Sequence, residues 1–242
     1  MRCVLAHAGI ADARMWEPIV PWFQGHEPIA YDLRGHGQMD EADGPFHHVD
    51  DLLQLLGVEP AVLVGSSMGG RVVLEAAVLR PELVRGLVLL APGLDEWGWR
   101  DETEAYGAEE ERLLAAGDLD GATALNVRFW VVGPGREPGA VPRTVRDLVT
   151  AMQRRAFAVQ TALDVEESPR VAGLLGRLTE LRTPTLVAVG EHDIPEMHEI
   201  ARAVAEAVDG AEHAVIPGAA HLPSLEAPEG TGRLVARFLK AL

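Results

Sequence analysis

The sequence predicts an α/β fold: a mainly parallel sheet with helices on both faces and one helical segment inserted between two strands. Short apolar runs alternate along the chain with stretches of helical periodicity, the order expected of strand, crossover helix and strand. Most of those runs are continuously apolar, as parallel strands covered on both faces should be. From Asp95 to Arg182 no strand-like run occurs, and the alternation breaks there.

In chain order, Val4-Leu5-Ala6 and Ile29-Ala30-Tyr31 are the first two strands. Val49–Leu56 places Val49, Leu52, Leu53 and Leu56 on one face of a helix. The strand Ala61–Val64 runs through a Gly-rich turn into a helix, Met68–Leu79, that stops before Pro81, and Leu87–Leu90 is the next strand. The insertion reads as three helices, Thr103–Ala116, Leu119–Trp130 and Val141–Leu163, interrupted by Gly133-Pro134-Gly135. Thr185–Val189 and Ala214–Ile216 are the last strands, followed by helices over Met197–Val208 and Ser224–Leu239. The expected division is a core of residues 1–94 and 183–242 carrying a helical lid of residues 95–182. Asp95–Asp120 holds ten acids against Arg100 and Arg112, which reads as a solvated helix face. The insertion also holds six of the twelve aromatic residues, which suits a cover over an apolar site.

Charge and composition exclude several classes. With 21 Lys and Arg against 37 Asp and Glu, the formal net charge is −16, which repels nucleic-acid backbones and anionic membranes. No apolar stretch approaches the roughly 18 residues of a membrane span, and Met1–Ala8 lacks the features of a signal peptide. Cys3 is the single cysteine, so neither a disulfide framework nor a thiolate zinc site is expected, and a reducing cytoplasm is the expected location.

Gly65-Ser66-Ser67-Met68-Gly69 matches Gly-x-Ser-x-Gly, with a strand running in and a helix running out. The chemistry needs that context. A sharp strand-to-helix turn lifts the Ser67 hydroxyl clear, and only Gly fits the crowded flanks. The helix starting at Met68 aims its amides where an oxyanion would form. A serine hydroxyl needs a base. Among nine histidines, His221 follows the last strand, at the carboxyl edge where open parallel sheets place their sites. Asp193 follows the preceding strand at the same edge and could orient the imidazole. The chain order Ser67, Asp193, His221 suits this arrangement. The second oxyanion donor is expected after the first strand, in His7-Ala8-Gly9-Ile10, giving the amides of Gly9 and Met68 as the oxyanion hole. His7 would prop that loop.

These motifs, with Asp32-Leu33-Arg34-Gly35-His36-Gly37 after the second strand, resemble the α/β-hydrolase superfamily, in particular small lid-bearing serine esterases and lactonases similar to 3-oxoadipate enol-lactonases. The resemblance covers nearly the whole chain. It implies the α/β-hydrolase fold with an eight-stranded sheet, a helical cap and hydrolysis without a cofactor, and it makes the Asp32–Gly37 loop structural. Three departures stand out: no two-strand hairpin precedes Val4, Ala8 stands in the oxyanion loop, and Ser66 precedes the nucleophile. Either the start is late or the hairpin is lost; if it is lost, the strand near Ile29 becomes an open edge, a site for pairing or aggregation. A homo-oligomer is among the expected partners.

The expected activity is hydrolysis of a small carboxylic ester or lactone by Ser67, His221 and Asp193 through an acyl-enzyme. Ser67 at the elbow argues against epoxide hydrolysis and dehalogenation, for which the family uses Asp there. Carbon–carbon hydrolysis, perhydrolysis and a non-catalytic ligand-binding role remain alternatives. Asp95 is the rival acid. Trp97, Trp99, Phe129 and Trp130 are the candidate lid residues of the pocket, and one of Arg128, Arg136, Arg143, Arg146, Arg154 and Arg155 could read a carboxylate. Neither Phe46–Asp51 nor Glu191–Glu199 has a metal-binding spacing, so no metal is expected.

Overall fold

The computed structural model describes residues 1–39, 44–163 and 167–242. Residues 164–166 of the expected lid lie outside them. Six parallel strands form one sheet: β1 (Arg2–Ala6), β2 (Glu27–Tyr31), β3 (Ala61–Ser66), β4 (Val84–Leu90), β5 (Thr185–Gly190) and β6 (Glu212–Ile216), in the order β2-β1-β3-β4-β5-β6. The described residues thus hold six strands, not the eight that the resemblance alone implies. β2 lies at one edge of this sheet, and Pro28, its second residue, has no N–H to offer in pairing.

The continuous apolar runs come from burial on both sides. In β1, Val4 and Ala6 pack on one face and Cys3 and Leu5 on the other. In β3, Leu63 opposes Val62 and Val64 in the same way, and in β4 Leu87 and Leu89 oppose Val88 and Leu90. Helices α1 (His48–Leu56), α2 (Met68–Leu79) and α7 (Pro195–Ala207) cover the first face. The second is covered by the 3-10 turn Ala13–Trp16, with Trp16 fully buried, and by α9 (Pro228–Ala241).

Between β4 and β5 the chain forms α3 (Asp101–Ala115), α4 (Leu119–Asn126), a π-helical turn (Val127–Val132), α5 (Arg143–Leu163) and the short α6 (Leu174–Arg177). None of the side chains of α3 is fully buried, in keeping with its run of acids. Two helical expectations change. The stretch to Trp130 leaves α-geometry after Asn126, where the π-turn begins. The single helix expected over Ser224–Leu239 is two, α8 (Pro223–Glu226) and α9, because Pro228 disfavours helical geometry at Ala227, whose φ is −136°.

Candidate active site

Ser67 stands between β3 and α2 with φ +49° and ψ −115°, a conformation rare for a residue with a side chain. The flanking glycines allow it. A Cβ at Gly65 would stand 2.4 Å from the Gly69 carbonyl oxygen, and one at Gly69 would stand 2.2 Å from that of Ala6. Strand, turn, helix and the end of β1 therefore meet backbone to backbone. Hydrogen bonds lock the turn, from the Ser67 N–H to the Leu90 carbonyl at 3.0 Å and from the Gly69 N–H to the His7 carbonyl at 3.1 Å.

The loops after β5 and β6 are laced together. A Cβ at Gly190 would lie 1.9 Å from the Ala220 carbonyl oxygen, so only glycine lets the loops close. The His192 N–H donates to the Ala219 carbonyl at 2.8 Å, and the Glu191 N–H to that of Ile216 at 3.0 Å. This closure brings His221 Nδ1 to 2.9 Å from Asp193 Oδ2, with both side chains buried. Asp193 Oδ1 also accepts the Ile194 N–H at 2.9 Å. Glu226, its side chain 2% exposed, brackets His221, its carboxylate accepting the N–H groups of Ala220 at 2.9 Å and Leu222 at 3.0 Å. Burial raises the Glu226 pKa above the usual carboxylate range.

Ser67 and His221 line one cavity of about 540 Å³, with Gly9 and Met68 in its wall. Gly9 faces Met68, whose Sδ would lie 3.7 Å from a Cβ at Gly9. His36, which also lines the cavity, holds that loop with Nε2 3.0 Å from the Gly9 carbonyl. His7 is fully buried, and its Nε2 accepts the Leu33 N–H at 2.9 Å, leaving the proton on Nδ1, 2.8 Å from the Ala8 carbonyl. Burial and neighbouring His36 push its pKa down to about 3, so it stays neutral as a prop. Asp32 folds its own loop, accepting the N–H groups of Ala13 and Gln38, each at 2.8 Å.

The π-turn contributes Trp130, whose ring lies 4.4 Å from that of His221 and whose carbonyl accepts the His221 N–H at 3.3 Å. Its indole Nε1 donates to the Tyr106 hydroxyl at 2.9 Å. Such turns inside helices often mark functional positions. Of the four aromatic residues singled out from sequence, Trp99 and Trp130 line the cavity. Phe129 stacks on Tyr106 at 4.1 Å and Trp97 packs against the core instead. None of the six insertion arginines singled out from sequence is among the described residues that line the cavity. Asp95 is half-exposed and pairs with Arg71 at 3.3 Å, whereas Asp193 is the carboxylate that pairs with the imidazole.

Sequence reasoning missed Arg71, Tyr106, Glu110 and Glu167 of the cavity wall, and Glu226. Only Arg71 carried a signal, one helical turn after Ser67, where both project to the same side. Among the described residues, no group of three or more His, Cys, Asp or Glu is arranged to hold a metal ion, and no helix is long and apolar enough to cross a membrane.

The profile of the alpha/beta hydrolase family matches residues 3–233. The chain is 28% identical over 249 residues to a strigolactone esterase of Arabidopsis thaliana, covering 97% of this chain and 91% of that one. It is 26% identical over 253 residues to a carboxylesterase of Bacillus subtilis, covering 98% and 79%. Its fold matches the crystal structure of the enol-lactonase from Burkholderia xenovorans with a TM-score of 0.76 at 22% identity, over 99% and 91% of the two chains. With that profile spanning almost every residue, the chain belongs to the alpha/beta hydrolase family and is an enzyme of it.

Proposed function

We propose that the protein is a serine hydrolase of small carboxylic esters or lactones, with Ser67 as nucleophile, His221 as base and Asp193 as the acid that orients it. The buried His221–Asp193 pair, 2.9 Å apart beside a cavity that Ser67 also lines, carries this reading. With the proton on Nδ1 directed at Asp193, Nε2 accepts the Ser67 proton as Oγ attacks the substrate carbonyl. The amides of Gly9 and Met68 stabilise the tetrahedral oxyanion, each worth about 3–4 kcal/mol in such sites. The imidazolium then gives its proton to the leaving alkoxide, and water, activated by the same nitrogen, clears the acyl-enzyme. In a lactone the leaving alcohol stays tethered to the acyl group, and the last step releases a single hydroxy acid.

The segment of residues 95–182 acts as the lid, and its Trp130 backs the imidazole while excluding water. Supporting this role, Gly133 closes the π-turn at φ +81°, where a Cβ would stand 2.6 Å from the His192 carbonyl oxygen, so the segment seats on the loop that carries Asp193. Intact mass after treatment with a fluorophosphonate tests the reading. Stoichiometric labelling of the wild type and none of Ser67→Ala is expected. A folded wild type that takes no label would refute it and favour a ligand-binding role.

A further inference from the structure

Arg71 stands one turn along α2 from Ser67 and is the only Arg or Lys among the described residues that line the cavity. Its guanidinium is already engaged on every nitrogen: Nη1 lies 3.0 Å from Glu75, Nη2 2.8 Å from Glu167 and Nε 3.3 Å from Asp95. The side chain is 4% exposed. Glu75 is held in turn, accepting the N–H of Val171 at 2.8 Å. The cavity wall therefore sets one guanidinium against three carboxylates, those of Asp95, Glu110 and Glu167. Glu110 has no cation beside it among its hydrogen-bond partners, which are Tyr106 and Asn126.

A substrate carboxylate entering this space would meet like charges and find the one cation among the described lining residues occupied. The rest of the wall, with Trp99, Trp130 and Phe157, favours uncharged apolar groups. We infer that Asp95 and Glu167, by occupying Arg71, set substrate charge: the site hydrolyses esters of uncharged acyl groups and turns away acyl groups that bear a free carboxylate. The inference rests on the serine-hydrolase reading above. It separates this enzyme from lactonases acting on lactones of dicarboxylic acids, which keep one free carboxylate.

The test compares kcat/KM for 4-nitrophenyl pentanoate and 4-nitrophenyl hemisuccinate, near-isosteres in which a carboxylate replaces an ethyl group. Spontaneous hydrolysis is subtracted. Salt of about 0.5 M suppresses the long-range field of a chain with net charge −16 and leaves contacts inside the cavity. The wild type is expected to prefer the pentanoate at least tenfold. The double variant Asp95→Asn, Glu167→Gln releases two sides of Arg71 and is expected to shrink that preference tenfold or more. Adding Arg71→Gln to the double variant is expected to remove the gain on the hemisuccinate. Equal wild-type rates on the two esters overturn the inference, whether or not the variants fold, as does an unchanged preference in a folded double variant. A wild type labelled by fluorophosphonate but indifferent to charge sinks this inference alone. One neither labelled nor active on either ester sinks the hydrolase reading with it.

Discussion

Gly190→Ala is the most informative single-atom test of how this site is built. The backbone at Gly190 is not in the left-handed region, so alanine meets no torsional objection there. The whole effect comes from the added Cβ, which would stand 1.9 Å from the Ala220 carbonyl oxygen and 2.6 Å from that of Ala219. Both atoms are backbone, and Cβ atoms essentially never approach closer than 3.0 Å. The loop after β6 must therefore move away by about 1 Å, and it carries His221 one residue further on. Overpacking of this kind costs about 1–3 kcal/mol, set against about 0.4–1 kcal/mol gained by stiffening the unfolded chain. A displacement of about 1 Å at a reacting group can cost about 100-fold in rate. Urea denaturation and kcat on a 4-nitrophenyl ester, measured on the wild type, Gly190→Ala and Gly107→Ala, read both effects. Gly107 lies within α3, and a Cβ there would meet no atom within 4 Å, so alanine should gain up to about 1 kcal/mol and leave the rate alone. A Gly190→Ala protein with wild-type stability and turnover would refute the claim that close backbone approach holds His221 against Asp193.

Three further outcomes follow from the same geometry. Asp193→Asn should lower kcat by about 10⁴, because the imidazole loses its orienting charge, whereas Asp95→Asn should leave kcat on an uncharged ester within a few fold; a reversed ranking in steady-state kinetics would make Asp95 the acid. Glu226→Ala should cost about 1–3 kcal/mol per stranded amide at Ala220 and Leu222 and lower kcat more than it changes KM, with Glu226→Gln intermediate; a loss confined to KM would show that Glu226 does not position His221. Burial pushes the pKa of His7 down to about 3 and that of His48 to about 2, so between the ordinary value of 6.5 and those values the unfolded chain binds more protons and stability rises with pH. The two together should remove about 2–3 kcal/mol on going from about pH 7.5 to about pH 5.5, partly offset by Glu75 and Glu226, whose burial-raised pKa values favour proton uptake by the folded chain. A urea midpoint that does not fall over this range would contradict it.

By itself the sequence determined the parts whose cause is local. Continuous apolar runs predicted strands buried on both faces, because that burial acts residue by residue along each run, and β1, β3, β4 and β5 bear it out. Gly65 and Gly69 announced a crowded turn because the crowding comes from the turn's own backbone and the adjoining strand. The meeting of Asp193 and His221 was legible because each stands in the loop after a strand of a parallel sheet, and such strands end at one edge. Only the tertiary structure decided which side chains meet across long separations. Glu167 reaches Arg71 from 96 residues away, and no periodicity in either segment records that pairing. In the π-turn, Trp130 meets both His221 and Tyr106 while Phe129 stacks on Tyr106, contacts between segments that the helical spacing of the sequence does not record. The charge of the cavity follows from those encounters. It depends on which carboxylates reach the one guanidinium, and that is a property of packing between segments.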